Sequence, residues 1–94
     1  MGMIELEVLS PSGLLLHEKG LDEVVLRRRE PDHDPGSEVA ILPRHGPELI
    51  ATCAHELRYR RDARVSLLSV RAGVAEVLDE HVTVLVTGTG PAAR

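Results

Sequence analysis

The sequence lacks phenylalanine and tryptophan, and Tyr59 is its only aromatic residue. Its core must therefore be built from Val, Leu and Ile side chains. Proteins that bind single-stranded nucleic acid stack the bases on several aromatic faces, which one tyrosine cannot supply. The formal net charge is −4, whereas a protein that neutralises phosphates is expected to be basic. These deficits argue against nucleic-acid binding.

Cysteine and long apolar runs are also scarce. Because Cys53 is the only cysteine, no intramolecular disulfide can form, which is typical of a reducing, intracellular environment. No apolar run approaches the roughly 18 residues that cross a membrane as a helix. The first residues, Met1–Glu5, have neither the basic nor the apolar region of a signal peptide. We expect a small, soluble, cytosolic chain of 94 residues with one modest core.

Short apolar runs separated by turn residues dominate the chain. Ile4, Leu6 and Val8 alternate with Glu5 and Glu7, which is the pattern of a half-buried strand. Similar runs recur at a spacing too short for crossover helices, so the strands should pair antiparallel. One weak helix candidate covers residues 46–55, and the longest loop covers residues 27–37. The pattern predicts an all-β, antiparallel two-sheet β-sandwich of about 8–10 short strands over residues 1–88, with a flexible tail at 89–94.

No set of residues has the spacing of a catalytic or ligand-binding motif. The five histidines form no metal-binding spacing, and the chain has no glycine-rich phosphate loop. Cys53 and His55 would share one face of a strand, but no third group orients the histidine as a base. We therefore interpret Cys53 as a small core residue. The sequence predicts no catalytic residue, no metal site and no cofactor.

Two segments leave a choice between a structural and a recognition role. An arginine cluster flanks a predicted hairpin turn, where it is either a solvated strand face or a surface for an acidic partner. The segment 41–49 contains two prolines and a glycine, so it should be a stiff, exposed loop. It either presents its charged tip for recognition or only connects two strands. The cluster is Arg58, Arg60, Arg61 and Arg64, and the loop tip is Arg44 and His45.

Three motifs in order resemble a known family. A strand ends in a Ser-Pro turn at Leu6–Pro11, and Val39–Pro47 stands where the family has G-x-(hydrophobic)-G-I-L-P-G-H-A-P. Val70–Val77, followed by Val82–Leu85, is similar to V-x-G-G-x-x-E-V followed by V-T-V-L. The sequence thus resembles the N-terminal β-sandwich domain of the epsilon subunit of F-type ATP synthases.

The resemblance includes departures from the family pattern. Arg44 stands at the glycine between the marker's proline and histidine, and Gly46 replaces the small residue after that histidine. The loop at residues 27–37 is longer than in the family. Family members continue into a C-terminal helical hairpin, which is absent from this sequence, so the hairpin's inhibitory and ATP-binding roles are not assigned. We expect a divergent branch.

The resemblance implies a noncatalytic rotor subunit that docks on the gamma subunit and on the ion-translocating ring. It implies no cofactor, no nucleic acid and no direct membrane insertion. The isolated chain should be monomeric, and the complex should lie at the cytoplasmic face of the bacterial inner membrane. The implied gamma contacts are Ser10, Arg44, His45, Pro47 and Ile50. The implied ring contacts are Asp32, His33, Asp34 and Glu38.

A second hypothesis is a stand-alone β-sandwich that binds a ligand or regulates another protein, since architecture alone does not fix function. A small hydrolase built on Cys53 or His45 is a third, but no triad supports it.

Overall fold

Nine β-strands form in the part of the chain that the computed structural model describes, residues 2–33 and 36–90. No helix forms there, and the all-β prediction is confirmed. The helix candidate at 46–55 is replaced by β5 and the first residue of β6, because residues 48–52 pair with β8 and their burial alternates with a period of two. The strands are β1 (Ile4–Ser10), β2 (Gly13–Leu21), β3 (Glu23–Arg27), β4 (Glu38–Ile41), β5 (Glu48–Thr52), β6 (His55–Arg61), β7 (Arg64–Val70), β8 (Gly73–Leu78) and β9 (His81–Val86).

The strands form a two-sheet sandwich, as predicted. Sheet A has the order β2-β1-β9-β8-β5, and sheet B has the order β4-β3-β6-β7. Six pairings are antiparallel, but β1 and β9 run parallel, which departs from the antiparallel expectation. These two strands come from opposite ends of the chain, so no short turn constrains their relative direction.

An aliphatic core fills the space between the sheets. Alternate residues of each strand point inward, so the acidic residues of β1 face outward. Tyr59 packs against the edge of this core and does not enter its centre. The fully enclosed side chains include Ile4, Leu6, Val8, Leu21, Val24, Leu26, Ile50, Leu57, Val70, Val82 and Val84.

Tight turns join two of the hairpins, and the first of them is the predicted turn that the arginine cluster flanks. β6 and β7 are joined through Asp62, which has a φ of 54°. Asp79 and Glu80 join β8 to β9 with φ values of 51° and 64°. Two successive residues with positive φ are typical of a type I′ turn, whose twist matches that of the strands it joins.

Consecutive strands alternate in direction, so the connections collect at two ends of the sandwich. The first end carries the β1–β2 turn, the β3–β4 loop (Arg28–Ser37) and the β7–β8 turn. The second end carries the β4–β5 loop (Leu42–Pro47) and the β8–β9 turn. At the first end Gly90 N donates to Ser69 O (3.1 Å), so residue 90 is hydrogen-bonded to β7. Residues 91–94 of the predicted tail lie outside the described part.

Candidate functional site

The β4–β5 loop begins with a strained tight turn. His45 N donates to Leu42 O (3.1 Å), which closes a four-residue turn with Pro43 in second position. Arg44, in third position, has a φ of 71°. Proline followed by a positive φ is the pattern of a type II turn, whose third residue is usually glycine. The position at which the resemblance predicts a glycine thus has a left-handed backbone here while carrying an arginine.

Two carboxylates hold this turn in place. The backbone N–H of Arg44 donates to Glu80 Oε2 (3.2 Å), and the imidazole of His45 hydrogen-bonds Glu48 Oε1 (2.8 Å). The other oxygen of Glu48 accepts from Arg28 Nη2 (3.3 Å). The hydrogen bond from His45, with help from Arg28, lowers the pKa of Glu48, although partial desolvation opposes this. The turn is therefore fixed at two points.

The remaining predicted gamma contacts lie in different environments. Pro47 is exposed just before β5, whereas Ile50 is fully buried between the sheets and offers no surface to a partner. Ser10 ends β1 at the first end of the sandwich, where its hydroxyl hydrogen-bonds Ser12 Oγ (2.9 Å). The turn containing His45 lies at the second end. Since β1 is seven residues long, the two ends are about 20 Å apart.

The β3–β4 loop folds back over the first end of the sandwich. Arg29 N donates to Ala51 O (2.7 Å) at the end of β5, and His33 N donates to Glu30 O (3.2 Å). Glu30 in turn accepts from Ser37 N (3.0 Å), which closes the base of the loop. Asp32 and His33 are exposed at its tip. Asp34, the third predicted ring contact in this loop, lies outside the described residues.

Glu38 lies on the outer face of sheet B and not at the loop tip. Arg58 binds its carboxylate with Nη1 and Nη2, at 3.0 and 3.3 Å, and Arg27 Nη2 lies 3.1 Å away. The hydrogen bonds from Arg58 lower the pKa of Glu38. The carboxylate predicted to face the ring is therefore already paired with two arginines.

The outer face of sheet A carries a row of apolar side chains that the sequence analysis missed. Five residues, one from each strand, occupy adjacent register positions and cross the whole sheet. At about 4.8 Å between strands, the row is about 19 Å long. Such exposed apolar surface is typical of a protein-binding site. The apolar row is Leu14 (54% exposed), Leu9, Leu85 (53%), Val74 (44%) and Ala51.

Two histidine–carboxylate pairs lie beside the apolar row on the same face. His17 hydrogen-bonds Glu5, and His81 Nε2 lies 3.0 Å from Glu7 Oε1. The hydrogen bond from His17 lowers the pKa of Glu5. The outer face of sheet A therefore combines the apolar row with these two polar pairs.

Cys53 and His55 do not form a reactive pair. The Nδ1–H of His55 donates to Cys53 O (2.7 Å), so its Nε2 carries the lone pair when the ring is neutral. That Nε2 is buried without a hydrogen-bond partner, and burial lowers the pKa of His55.

In the described residues no group of three or more His, Cys, Asp or Glu is arranged to hold a metal ion. Among the same residues no helix is long and apolar enough to span a membrane.

Comparison with protein families shows which family the chain belongs to. A sequence model described as "ATP synthase, Delta/Epsilon chain, beta-sandwich domain" matches residues 3–91. The chain belongs to this family. An ATP synthase epsilon chain from Desulfitobacterium hafniense (strain DSM 10664 / DCB-2) is 33% identical over 95 residues, which cover 99% of this chain and 65% of that protein. One from Syntrophobacter fumaroxidans is 35% identical over 82 residues, covering 87% of this chain and 56% of that protein. The chain thus spans less than two thirds of these relatives.

Solved structures share the fold of this family member. A chain in the central stalk and c-ring of the Tetrahymena thermophila mitochondrial ATP synthase superposes with a TM-score of 0.72 at 14% identity, covering 97% of this chain and 69% of that one. A chain of the Euglena gracilis mitochondrial enzyme gives 0.78 at 15% identity, covering 97% and 54%. At these identities the likeness concerns the fold alone.

Proposed function

We propose that this chain is a noncatalytic central-stalk subunit of an F-type ATP synthase, which docks on the gamma subunit and the ion-translocating ring and couples rotation to ATP synthesis. The family match over residues 3–91 carries the proposal. The likeness to chains of ATP synthase structures supports it. A rotor part must resist deformation, and a densely packed aliphatic core between two sheets does so. The working position is the cytoplasmic face of the bacterial inner membrane.

The outer face of sheet A is the surface we assign to the gamma subunit. Ser10 lies at one end of this sheet and the turn with Arg44 and His45 at the other. A single partner touches both only by lying along the sheet, where it covers the apolar row. Burying apolar area is favourable at about 25 cal/mol per Å², so this row would supply much of the contact energy.

The first end of the sandwich is the surface we assign to the ring. Asp32 and His33 project there from a loop whose base is fixed by hydrogen bonds, so the loop tip is positioned before docking. Glu38 contributes less directly to the ring contact than the loop tip does, because Arg58 and Arg27 hold its carboxylate on the outer face of sheet B.

Size-exclusion chromatography with the gamma subunit of the same organism tests the proposal. We expect a stable one-to-one complex that Leu85→Ser weakens about tenfold or more. Leu67→Ser is the matched control, since Leu67 is 54% exposed on the opposite sheet and Leu85 is 53% exposed. Equal weakening by both variants would argue against the assigned face. No complex with folded gamma subunit would instead favour a stand-alone β-sandwich.

Ring binding has its own test. Asp32→Lys should reduce copurification of the chain with the detergent-solubilised ring. Asp79→Lys, at the exposed β8–β9 turn of the second end, should leave copurification unchanged. If the Asp79 variant no longer copurifies with the ring and the Asp32 variant still does, the second end of the sandwich contacts the ring instead of the first.

A further inference from the structure

Arg44 combines a strained backbone with a side chain that the fold does not use. Its φ of 71° lies in the left-handed region, which is unfavourable for any residue with a Cβ. Its guanidinium makes no hydrogen bond or ion pair with the residues that the structure describes. Among the described arginines, Arg27, Arg28, Arg58, Arg60 and Arg61 pair with a carboxylate. Arg29, Arg64 and Arg71 make no such pair with the described residues, but only Arg44 combines an unpaired guanidinium with a positive φ.

The two carboxylates that contact this turn bind other groups. Glu80 accepts the backbone N–H of Arg44 (3.2 Å) and Glu48 accepts from His45 (2.8 Å). These contacts hold the turn still without engaging the guanidinium of Arg44. Pro43 fixes the preceding φ and reduces the freedom of the turn further. The result is a rigid turn that carries an exposed, unpaired cation.

We propose that Arg44 is a specificity-determining residue, presented by this turn to an acidic group on the gamma subunit. The proposal rests on the docking assigned above and adds the chemistry of one contact. Glycine would adopt the φ of this position without strain, so the backbone itself gives no reason for an arginine. Positive φ alone does not mark a binding residue, since Asp62 and Asp79 also have it in hairpin turns, but at Arg44 it accompanies an exposed guanidinium that the fold leaves unpaired. A planar guanidinium binds a carboxylate through two parallel hydrogen bonds, which makes it selective as well as attractive.

The proposal requires Arg44→Gly to change stability and affinity in opposite directions. Removing the left-handed strain should raise Tm by about 4 °C, the shift expected for roughly 1 kcal/mol in a domain of this size. The same substitution should weaken gamma binding about five- to tenfold, and the remaining affinity should depend less on salt. Arg44→Lys should bind with intermediate affinity, because it keeps the charge without the planar fork.

Asp62→Gly is the matched control. Asp62 also has a positive φ (54°), but it lies in the β6–β7 turn, which joins two strands of sheet B, whereas the proposed gamma surface is the outer face of sheet A. This variant should gain stability without losing affinity. A merely structural Arg44 would behave in the same way, so unchanged gamma affinity in Arg44→Gly would overturn the inference. A fall in Tm for Arg44→Gly would overturn it too, because the turn would then not be strained. If the wild-type chain binds no gamma subunit, the proposed function itself fails.

Discussion

The side chain of Ile50 is fully enclosed between the two sheets, so changing it tests the core. Ile50→Val removes one methylene and should lower the free energy of unfolding by about 0.5–1.5 kcal/mol. Ile50→Ala removes three carbons and should cost about 2–5 kcal/mol. A domain of this size is stable by roughly 5–14 kcal/mol, so the alanine variant loses a large share of its stability.

Urea unfolding followed by far-UV circular dichroism measures both changes, since the chain has no tryptophan for fluorescence. Leu49→Ala on the same strand is the control. Leu49 is 71% exposed, so its truncation should change stability by no more than about 0.5 kcal/mol. Affinity for the gamma subunit is then measured on folded Ile50→Val and should equal that of the wild type.

One result would refute this reasoning. If Ile50→Val unfolds at the wild-type urea concentration and yet binds the gamma subunit more weakly, the side chain touches the partner. Ile50 would then not be enclosed between the sheets, and the inward-facing register of β5 would be wrong.

Three further predictions concern buried or strained positions. Burial lowers the pKa of His55 in the folded chain. As pH falls, the unfolded chain therefore binds a proton at this residue more readily than the folded chain does. Stability should therefore fall as pH drops below about 6.5, by at most about 1.4 kcal/mol per pH unit, and His55→Asn should flatten that pH profile in urea titrations. In Gly73→Ala the new Cβ would lie 1.9 Å from Leu85 O, so the β8–β9 pairing must shift, and we expect a loss of about 1–3 kcal/mol in the same assay. Asp79→Gly should raise Tm more than Glu80→Gly, because the second variant also removes the carboxylate that accepts the Arg44 N–H.

Local chemistry in the sequence was enough to locate most of the strands and turns. The loop at residues 27–37 and the turns at Asp62 and Asp79 follow from residues adjacent in the chain. The all-β class follows from alternation and from connections too short for helices. β2 extends beyond its apolar residues 14–16, because the polar His17 and Glu18 continue the pairing with β1. That pairing depends on the partner strand and not on local propensity.

Ile50 shows where the pattern is ambiguous. Leu49 and Ile50 are both apolar, and a shift of one residue exchanges the inner and outer faces of a strand. Only the pairing of β5 with β8 directs Ile50 inward and leaves Leu49 exposed. The resemblance implied that Ile50 contacts the gamma subunit, but its side chain is buried and out of a partner's reach.

The sequence by itself determined the strand content, the aliphatic core and the family, because alternation, turn residues and motifs are read along the chain. Tertiary structure alone decided which strands are neighbours. It brought one apolar residue from each strand of sheet A into a single row, put Ser10 and His45 at opposite ends and paired Glu38 with Arg58. The strand period sets which face a side chain occupies, but its neighbours depend on register between segments far apart in sequence. A binding surface is made of such neighbours, so it becomes visible only in the folded chain.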